Sequence, residues 1–548
     1  MMAQMKRYFL FVPTIFGFLF VSGQTVTVDQ KKTSQGTTFS LVNERITFLI
    51  TFQGEKIAGD SLYMKQTPNR GVVTDGNFGL DLMWTDRSAP GKMNNADNQI
   101  ILDKQHFHFV SHTIRSSGES KHGWKLTCGQ EIGEKIGGNW ITGEWVVVSL
   151  TPDKYVENRF FKYVDDIRIT PIRPYALYNS RYDLRAPEYP GVKPENVMNE
   201  KNILQIISLF KKNMIDKHQL QLDAFVLDDG WDVYESDWVL RKKEFPRGLK
   251  PISEELSHLG TDLGIWFGPT GGYSFRMKRI DWMKKNGYEV VGKTKNDAML
   301  CLGGKKYGDL FRKRTTDLVK NDGVKYFKWD GIQFSRSEPD HGHPVELYSR
   351  RAILESVIEK CKAVRETDPS VYLNITSGTW LSPWWVKYAN RIWMQGADYG
   401  YADVPVISQR DGAITYRDFI LYDDLRQQEW WFPVSNLMTH GIIKGNLERL
   451  GGEGDPIHKF SDDVVLYFAR GVSMYELYIS PDLLTDGEWD AIGRSMNWAK
   501  DAVTNVRVKT ISIRNTRHKR LGKSRSDGHQ PGGAACHLYG FFGCCLRH

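Results

Sequence analysis

The chain has 548 residues, 41% hydrophobic and 12% aromatic, enough to build more than one core and unlike a disordered composition. Its net charge of +8 suggests an anionic partner at first sight, but residues 505–548 hold nine Lys/Arg (Arg507, Lys509, Arg514, Arg517, Lys519, Arg520, Lys523, Arg525, Arg547) against Asp527 alone. Taking these from the 73 basic and 65 acidic residues of the whole leaves 64 of each, so the globular part is neutral and its charge gives no reason to expect nucleic-acid binding.

The N-terminus carries Lys6-Arg7, then an apolar run from Tyr8 to about Val21, then Ser22-Gly23-Gln24. Basic residues, a short apolar run and a small-residue cleavage site are the pattern of a secretory signal. The run is short for a bilayer core, which takes about 20 apolar residues. Residues 1–23 are therefore expected to be a signal peptide, with the mature chain beginning near Gln24. The expectation is an exported protein, periplasmic or extracellular, without a stable membrane span.

Residues 24–168 read as all-β. Short alternating runs recur at Thr25–Val28, Arg45–Thr51, His106–Val110 and Trp145–Val148, with turn-like Gly, Asn and Asp between them. Such spacing predicts a β-sandwich domain. It holds no convincing catalytic set.

From 169 to 504 strand-like runs alternate with amphipathic helical stretches. The predicted strands are Ala176–Asn179, Ala224–Asp229, Gly264–Pro269, Tyr326–Asp330, Val371–Ile375, Arg391–Gln395, Phe432–Asn436 and Val472–Leu477. Helices are predicted over 196–216, 277–287, 307–321, 344–366 and 486–502, from apolar residues recurring at the helical period. The fold class is α/β: eight such units in sequence fit a (β/α)8 TIM barrel. An open doubly wound sheet is the runner-up, and the missing Gly-rich phosphate loop argues against it.

After about Val506 the periodicity stops. Residues 505–548 combine the basic cluster with Cys536, Cys544 and Cys545, whereas Cys128, Cys301 and Cys361 are scattered over the rest. Three readings stand: a basic disordered arm, a polyanion-binding patch, or an out-of-frame product replacing a natural C-terminal β-domain. The abrupt change favours the last. If a domain is missing there, apolar barrel surface is left exposed. No Cys/His spacing suggests zinc, and a disulfide framework is not expected.

A TIM barrel builds its active site at the C-terminal ends of its strands. Those ends carry Asp228-Asp229-Gly230-Trp231, Lys328-Trp329-Asp330, Asn374-Ile375-Thr376-Ser377-Gly378 and Gln395-Gly396-Ala397-Asp398. A lone Asp at such a place commonly caps the next helix. Four of them, with Trp231, Trp266, Trp329 and Trp393 nearby, fit that explanation poorly. Two carboxylates flanking a sugar suffice for glycoside hydrolysis, and they stand roughly 5–5.5 Å apart in retaining enzymes and about 6.5–9.5 Å in inverting ones. Asp330 and Asp398 could form the pair. Lys328, two residues before Asp330 on the same face, would favour an ionised nucleophile. Burial among Trp393 and Tyr399 would keep Asp398 protonated. Asp228 and Asp229 suit sugar hydroxyls, and Trp231 or Trp266 could stack on a pyranose face.

The pieces Leu227-Asp228-Asp229-Gly230-Trp231, Gly264-Ile265-Trp266-Phe267, Lys328-Trp329-Asp330 and, less closely, Gln395-Gly396-Ala397-Asp398 resemble the α-galactosidase (melibiase) families of the glycoside hydrolase clan that also holds α-N-acetylgalactosaminidases. The resemblance spans about residues 170–500. It implies Asp330 as nucleophile and Asp398 as acid/base, with Asp228 and Lys328 on sugar hydroxyls and Asp229 and Trp231 beside them. Arg410 is loosely placed as the arginine that follows the acid/base, and Asn374 opens the segment that shapes the pocket. It also implies a small β-domain after the barrel, where this chain has its basic tail. Three departures concern the sugar: Asn374–Trp380 lacks the usual Cys- or Ser- and Gly-rich pattern, Thr270-Gly271-Gly272 follows Pro269 where a Glu is usual, and Ala397-Asp398 replaces a Ser-Asp pair.

The leading expectation is an exported retaining α-glycosidase acting on terminal α-galactoside-like residues of an oligosaccharide or glycan. The alternatives are an α-N-acetylgalactosaminidase or other α-glycosidase of the clan, and a catalytically inactive carbohydrate-binding relative. A carboxylate pair implies no organic cofactor and no metal. The sequence does not fix the oligomeric state.

Overall fold

The computed structural model describes residues 156–505, except 335, 347, 348, 380, 382, 399–407 and 428–431, together with the backbone of nine strands between residues 27 and 152. The expected signal peptide, the basic tail from 506 and Tyr399 lie outside the described residues. Contacts divide the chain into two units, Met1–Tyr163 with Glu346–Arg351, and Val164–Val345 with Ala352–His548.

The first unit is built from β-structure, as the alternating runs predict. Strands β1 (Thr27–Thr33), β2 (Gly36–Val42), β3 (Ile46–Gln53) and β4 (Lys56–Met64) form an antiparallel meander. Strands β5 (Phe78–Met83), β6 (Lys92–Asn94), β7 (Gln99–Ile101), β8 (His108–Ile114) and β9 (Val147–Pro152) form a second antiparallel sheet in the order β6-β7-β8-β5-β9. Helix α1 (Val156–Ile167) follows.

The second unit is a parallel sheet wrapped by helices. In chain order it runs β10 (Tyr175–Asn179), α2 (Glu200–Phe210), β11 (Ala224–Leu227), α3 (Lys250–His258), β12 (Asp262–Phe267), α4 (Arg276–Lys285), a hairpin of β13 (Val290–Val291) and β14 (Met299–Leu300), then α5 (Lys305–Asp322) and β15 (Val324–Trp329). It continues through α6 (Ser349–Thr367), β16 (Tyr372–Ile375), β17 (Arg391–Trp393), α7 (Gln409–Tyr422), β18 (Leu437–Met438), β19 (Ile442–Lys444), α8 (Ile457–Ala469), β20 (Met474–Ile479) and α9 (Asp486–Asn505). The sheet order is β18-β17-β16-β15-β12-β11-β10-β20-β19, with every pairing parallel.

The ends of this sheet are two pieces of one stretch of chain. Leu437-Met438 pairs with β17, and Ile442–Lys444, three residues later, pairs with β20. The nine pieces are thus eight barrel strands, and the seventh closes the ring by handing its pairing from one neighbour to the other. The sequence-based seventh strand, Phe432–Asn436, is corrected: Val434–Asn436 forms a single 3-10 turn after Pro433, and the strand begins immediately beyond it. Strand pieces of two and three residues are too short to show a period. At the break between them, a Cβ on Gly441 would lie 1.9 Å from the Glu476 carbonyl oxygen, so only glycine permits that approach.

Local chemistry delimits the other elements. Asn199 caps α2 by accepting from the Asn202 N–H at 2.8 Å, and Ser408 caps α7 by accepting from Asp411 N–H. Helix α5 ends at Gly323, whose φ of 68° turns the chain into β15. The barrel strands are buried almost throughout, which explains why they read as near-continuous apolar runs. Near the N-terminal end of the barrel, Tyr175, Tyr326 and Tyr372 stack in the interior, with the rings of Tyr175 and Tyr372 3.8 Å apart. Because side chains alternate along β15, Tyr326, Lys328 and Asp330 share one face and carry that interior from an aromatic floor to a charged mouth. Among the described residues no helix is long and apolar enough to cross a membrane.

Candidate active site

Four donors surround the Asp330 carboxylate. Tyr273 Oη lies 3.0 Å from Oδ1 and Ser377 Oγ lies 2.9 Å from it, and Thr376 Oγ1 also donates to Oδ1. Trp266 Nε1 approaches Oδ2 at 3.3 Å. The cradle comes from two strand ends. Trp266 is on β12, Tyr273 is in the loop after it, and Thr376-Ser377 follow β16, which pairs in register with β15. Backbone bonds seat Asp330 itself: its N–H donates to the Phe267 carbonyl at 2.8 Å, and Gly331 N–H donates to Ser377 Oγ at 2.9 Å. Oδ1 is crowded and Oδ2 has one long partner, so Oδ2 is the oxygen with lone pairs to spare.

Below Asp330 lies a buried charge cluster. Lys328 Nζ is 3.3 Å from Asp228 Oδ2, 2.9 Å from Tyr478 Oη and 3.5 Å from Glu476 Oε1. Arg181, in the turn after β10, stands 3.7 Å from Asp228 Oδ1, and Arg185 stands 3.6 Å from Asp229 Oδ2. Asn179 Nδ2 donates to Glu476 Oε1 at 2.7 Å. Burial alone would raise the Asp228 carboxyl, but Lys328 and then Arg181 outweigh it and hold it down at about 2. The same balance works on Lys328: desolvation pulls the ammonium down, and Asp228 and Glu476 more than restore it, so it stays charged. Asp229 and Glu476 are both raised from the ordinary carboxylate range, by burial first.

Asp398 approaches from the sixth strand. Gln395 and Gly396 both take positive φ, 71° and 76°, and turn the chain sharply after β17. Trp393 Nε1 braces the turn by donating to the Gly396 carbonyl at 3.0 Å, and the Ala397 N–H donates to Tyr416 Oη at 2.8 Å. The Asp398 side chain reaches solvent at the rim, yet the surrounding walls desolvate it enough to raise its carboxyl. Arg181 and Lys328 oppose that rise and Asp330 adds to it, so Asp398 shares one electrostatic neighbourhood with the cluster. His440, at the break in the seventh strand, stacks on Tyr478 at 4.8 Å, and burial followed by the fields of Arg417, Lys328 and Arg181 keeps its imidazole neutral.

Residues 198–398 match the family model described as Melibiase, a span that contains Asp228, Asp229, Lys328 and Asp330 and ends on Asp398. Over this span the chain is similar to α-galactosidases. It is 27% identical over 192 residues to Alpha-galactosidase 2 of Pediococcus pentosaceus, covering 30% of this chain and 27% of that protein. It is 28% identical over 130 residues to Alpha-galactosidase Mel36A of Lactobacillus acidophilus, covering 22% and 18%. The match thus spans about a quarter or less of these relatives' length. Among solved structures, the GH36 α-galactosidase AgaB of Geobacillus stearothermophilus superposes with a TM-score of 0.49 at 14% identity, covering 85% of this chain and 67% of that one.

Within this α-galactosidase-like barrel, the structure brings Asp228, Asp229, Lys328, Asp330 and Asp398 to one mouth. Other expectations are corrected. Trp231 is 2% exposed, and its Nε1 donates to the Trp266 carbonyl at 2.8 Å, so it forms wall and offers no stacking face. Trp266 is fully covered, with Tyr273 and Trp238 against it, and meets the site through its N–H instead of its ring face. Arg410 points away into its own network: Asp455, Asp463 and the carbonyls of Ile443 and Leu450 take its guanidinium. Asn374 is fully buried beside Lys328, and its Nδ2 donates to Tyr326 Oη at 2.9 Å, below the mouth. Lys328 makes its contacts with Asp228, Tyr478 and Glu476, while Asp330 is held by other donors.

Arg181, Tyr273, Thr376, Ser377, Glu476 and Tyr478 are site residues that sequence reasoning passed over. Thr376-Ser377 stood in a strand end already singled out. Glu476 had one signal, a lone acid inside an apolar strand; it lies beside the cluster because Met474, Glu476 and Tyr478 share the inward face of β20.

Proposed function

We propose that the protein is an exported retaining α-galactosidase that removes terminal α-galactoside-like residues from oligosaccharides or glycans. The observation that carries this reading is the contrast between two carboxyls at one barrel mouth: Asp330 sits in a cradle of four donors, and Asp398 stands at the rim with its carboxyl raised. These are the two states a retaining mechanism needs. The α-galactosidase-like segment supports the sugar, and the basic-then-apolar N-terminus supports export.

In the first step Asp330 Oδ2 attacks the anomeric carbon as the bond to the leaving oxygen breaks, and Asp398 gives its proton to that oxygen. In the second step Asp398 takes a proton from water, the water oxygen bonds to the anomeric carbon, and the ester to Asp330 breaks. Asp398 is thereby reprotonated, and Asp330 returns as a carboxylate. Lys328 donates to sugar hydroxyls, and the Asp228 carboxylate accepts from them. Arg181, partly exposed and paired with Asp228, adds a second cation at the same place.

The test is turnover of a panel of nitrophenyl glycosides. The α-galactoside is expected to be the preferred substrate, with the first-formed sugar an α-anomer by NMR and activity lost in Asp330→Asn. Preference for the α-N-acetylgalactosaminide would reassign the sugar. A β-anomeric first product would reject the retaining mechanism, and binding without turnover would favour an inactive relative.

A further inference from the structure

A second cluster lies at the far end of the loop that begins after Asp330. Cys301 directly follows β14, and His341 and His343 sit on the loop between β15 and α6. One donor atom from each of the three falls within 4.8 Å of the others. Cys301 Sγ and His343 Nε2 are 3.3 Å apart although 42 residues separate them. Zinc–sulfur and zinc–nitrogen bonds of about 2.3 and 2.0–2.1 Å around a tetrahedral centre place neighbouring donor atoms about 3.3–3.6 Å apart. That pair is already near this spacing, and the His341 donor atom lies within 4.8 Å of both.

The outer contacts orient both rings for ligation. His343 Nδ1 is 2.7 Å from the Pro344 carbonyl, so Nδ1 carries the proton and Nε2 keeps its lone pair. Ser337 Oγ donates to the Pro339 carbonyl at 3.1 Å, so it meets His341 Nδ1, 3.2 Å away, as an acceptor. That leaves His341 Nε2 with its lone pair as well. The two rings stand at 85° to each other with centroids 6.0 Å apart, so they converge by their edges and do not stack. A Cβ on Gly303 would come within 3.2 Å of His343 Nε2, and glycine there leaves the approach open. Cys301 is buried and forms no disulfide.

We propose that Cys301, His341 and His343 bind a zinc-class divalent ion. One thiolate and two imidazoles form a donor set of intermediate softness that suits zinc, cobalt and their neighbours and disfavours magnesium or calcium. Binding releases the thiol proton to solvent, and water completes the coordination. The ion fastens the β15–α6 loop to the β13–β14 hairpin, across which Lys293 and Glu338 already pair at 2.8 Å. Its role is structural: it secures the outer end of the loop whose inner end is Gly331, next to Asp330.

The full chain, stripped with chelator, is titrated with Co2+ and then Zn2+. One equivalent of cobalt is expected to give a thiolate-to-cobalt charge-transfer band that zinc abolishes by displacement. Cys301→Ser should remove the band, while His341→Gln and His343→Gln should each weaken cobalt binding at least about tenfold. The combined Cys536→Ser, Cys544→Ser, Cys545→Ser variant should keep it. Far-UV circular dichroism establishes which variants fold, and His341→Gln, on an open loop, decides the matter if Cys301→Ser does not. No band in the wild type, a band that survives Cys301→Ser, or one lost with the tail cysteines would overturn the proposal.

Discussion

Lys328 Nζ lies 3.3 Å from Asp228 Oδ2, joining the fourth barrel strand to the end of the second inside a buried cluster. The pair is stretched compared with an ideal charge-assisted bond, and both partners share their charge with others, Lys328 with Glu476 and Asp228 with Arg181. Under the proposed function, a sugar hydroxyl arriving between them exchanges for an existing contact without stranding a bare charge.

The pair makes stability depend on acid pH. The Asp228 carboxyl is near 2 in the folded protein, below its unfolded value of about 3.9, so its contribution is present above about pH 4 and is lost as pH falls through 2. The contribution is up to about 2–3 kcal/mol. Urea unfolding of wild type and Asp228→Asn across pH 2–7 should show a gap that is largest near neutrality and narrows towards pH 2. A gap independent of pH would contradict the ionised pair.

Arg410→Ala should damage folding far more than chemistry. It leaves Asp455 buried without its cation and Asp463 with Arg417 alone, a loss that costs about 3–5 kcal/mol. The melting temperature should fall markedly, and kcat/KM per folded molecule should change by less than about threefold. A large fall in kcat/KM in protein that remains folded would return Arg410 to the active site.

Tyr273→Phe should do the reverse. Tyr273 is 49% exposed, so the hydroxyl adds little to stability, but it is one of the donors on Asp330 Oδ1. Losing one such hydrogen bond costs about 0.5–1.5 kcal/mol, so kcat/KM should drop about 2–10-fold with the melting temperature nearly unchanged. Steady-state kinetics beside a thermal melt checks both halves.

Asp398 should set the basic limb of the pH–rate profile. Its carboxyl is raised by desolvation first and then by Asp330, so it keeps its proton to a higher pH than an ordinary aspartic acid. Activity should fall as pH rises through that value. Asp398→Ala should lose the limb, and it should suffer most with substrates whose leaving group needs protonation. An unchanged limb in the variant would assign it to another group.

How far the sequence revealed this site depended on where each residue sits. Asp228, Lys328 and Asp330 were legible because each stands at the end of an apolar strand, where a barrel places its chemistry. Trp231, Trp266 and Arg410 depart from expectation because side-chain type does not fix orientation: the two indoles are wall, and the guanidinium turns into a helix-to-loop network. Arg181 is hidden in a three-residue turn, and Glu476 within a strand, where neither periodicity nor motif marks it. The barrel was legible from the alternation of elements. Its seventh strand was not, because closure of the ring divides it into two fragments around Thr439-His440-Gly441.

Trapping the glycosyl-enzyme shows whether Asp330 is the group that attacks the sugar. The protein is incubated with a slow fluorinated α-galactosyl donor, digested, and the modified peptide sequenced by mass spectrometry. One sugar per chain is expected, attached to Asp330 and absent in Asp330→Asn. A label on Asp228 or Asp398, or steady turnover of the fluorosugar with no trapped species on Asp330, would contradict it.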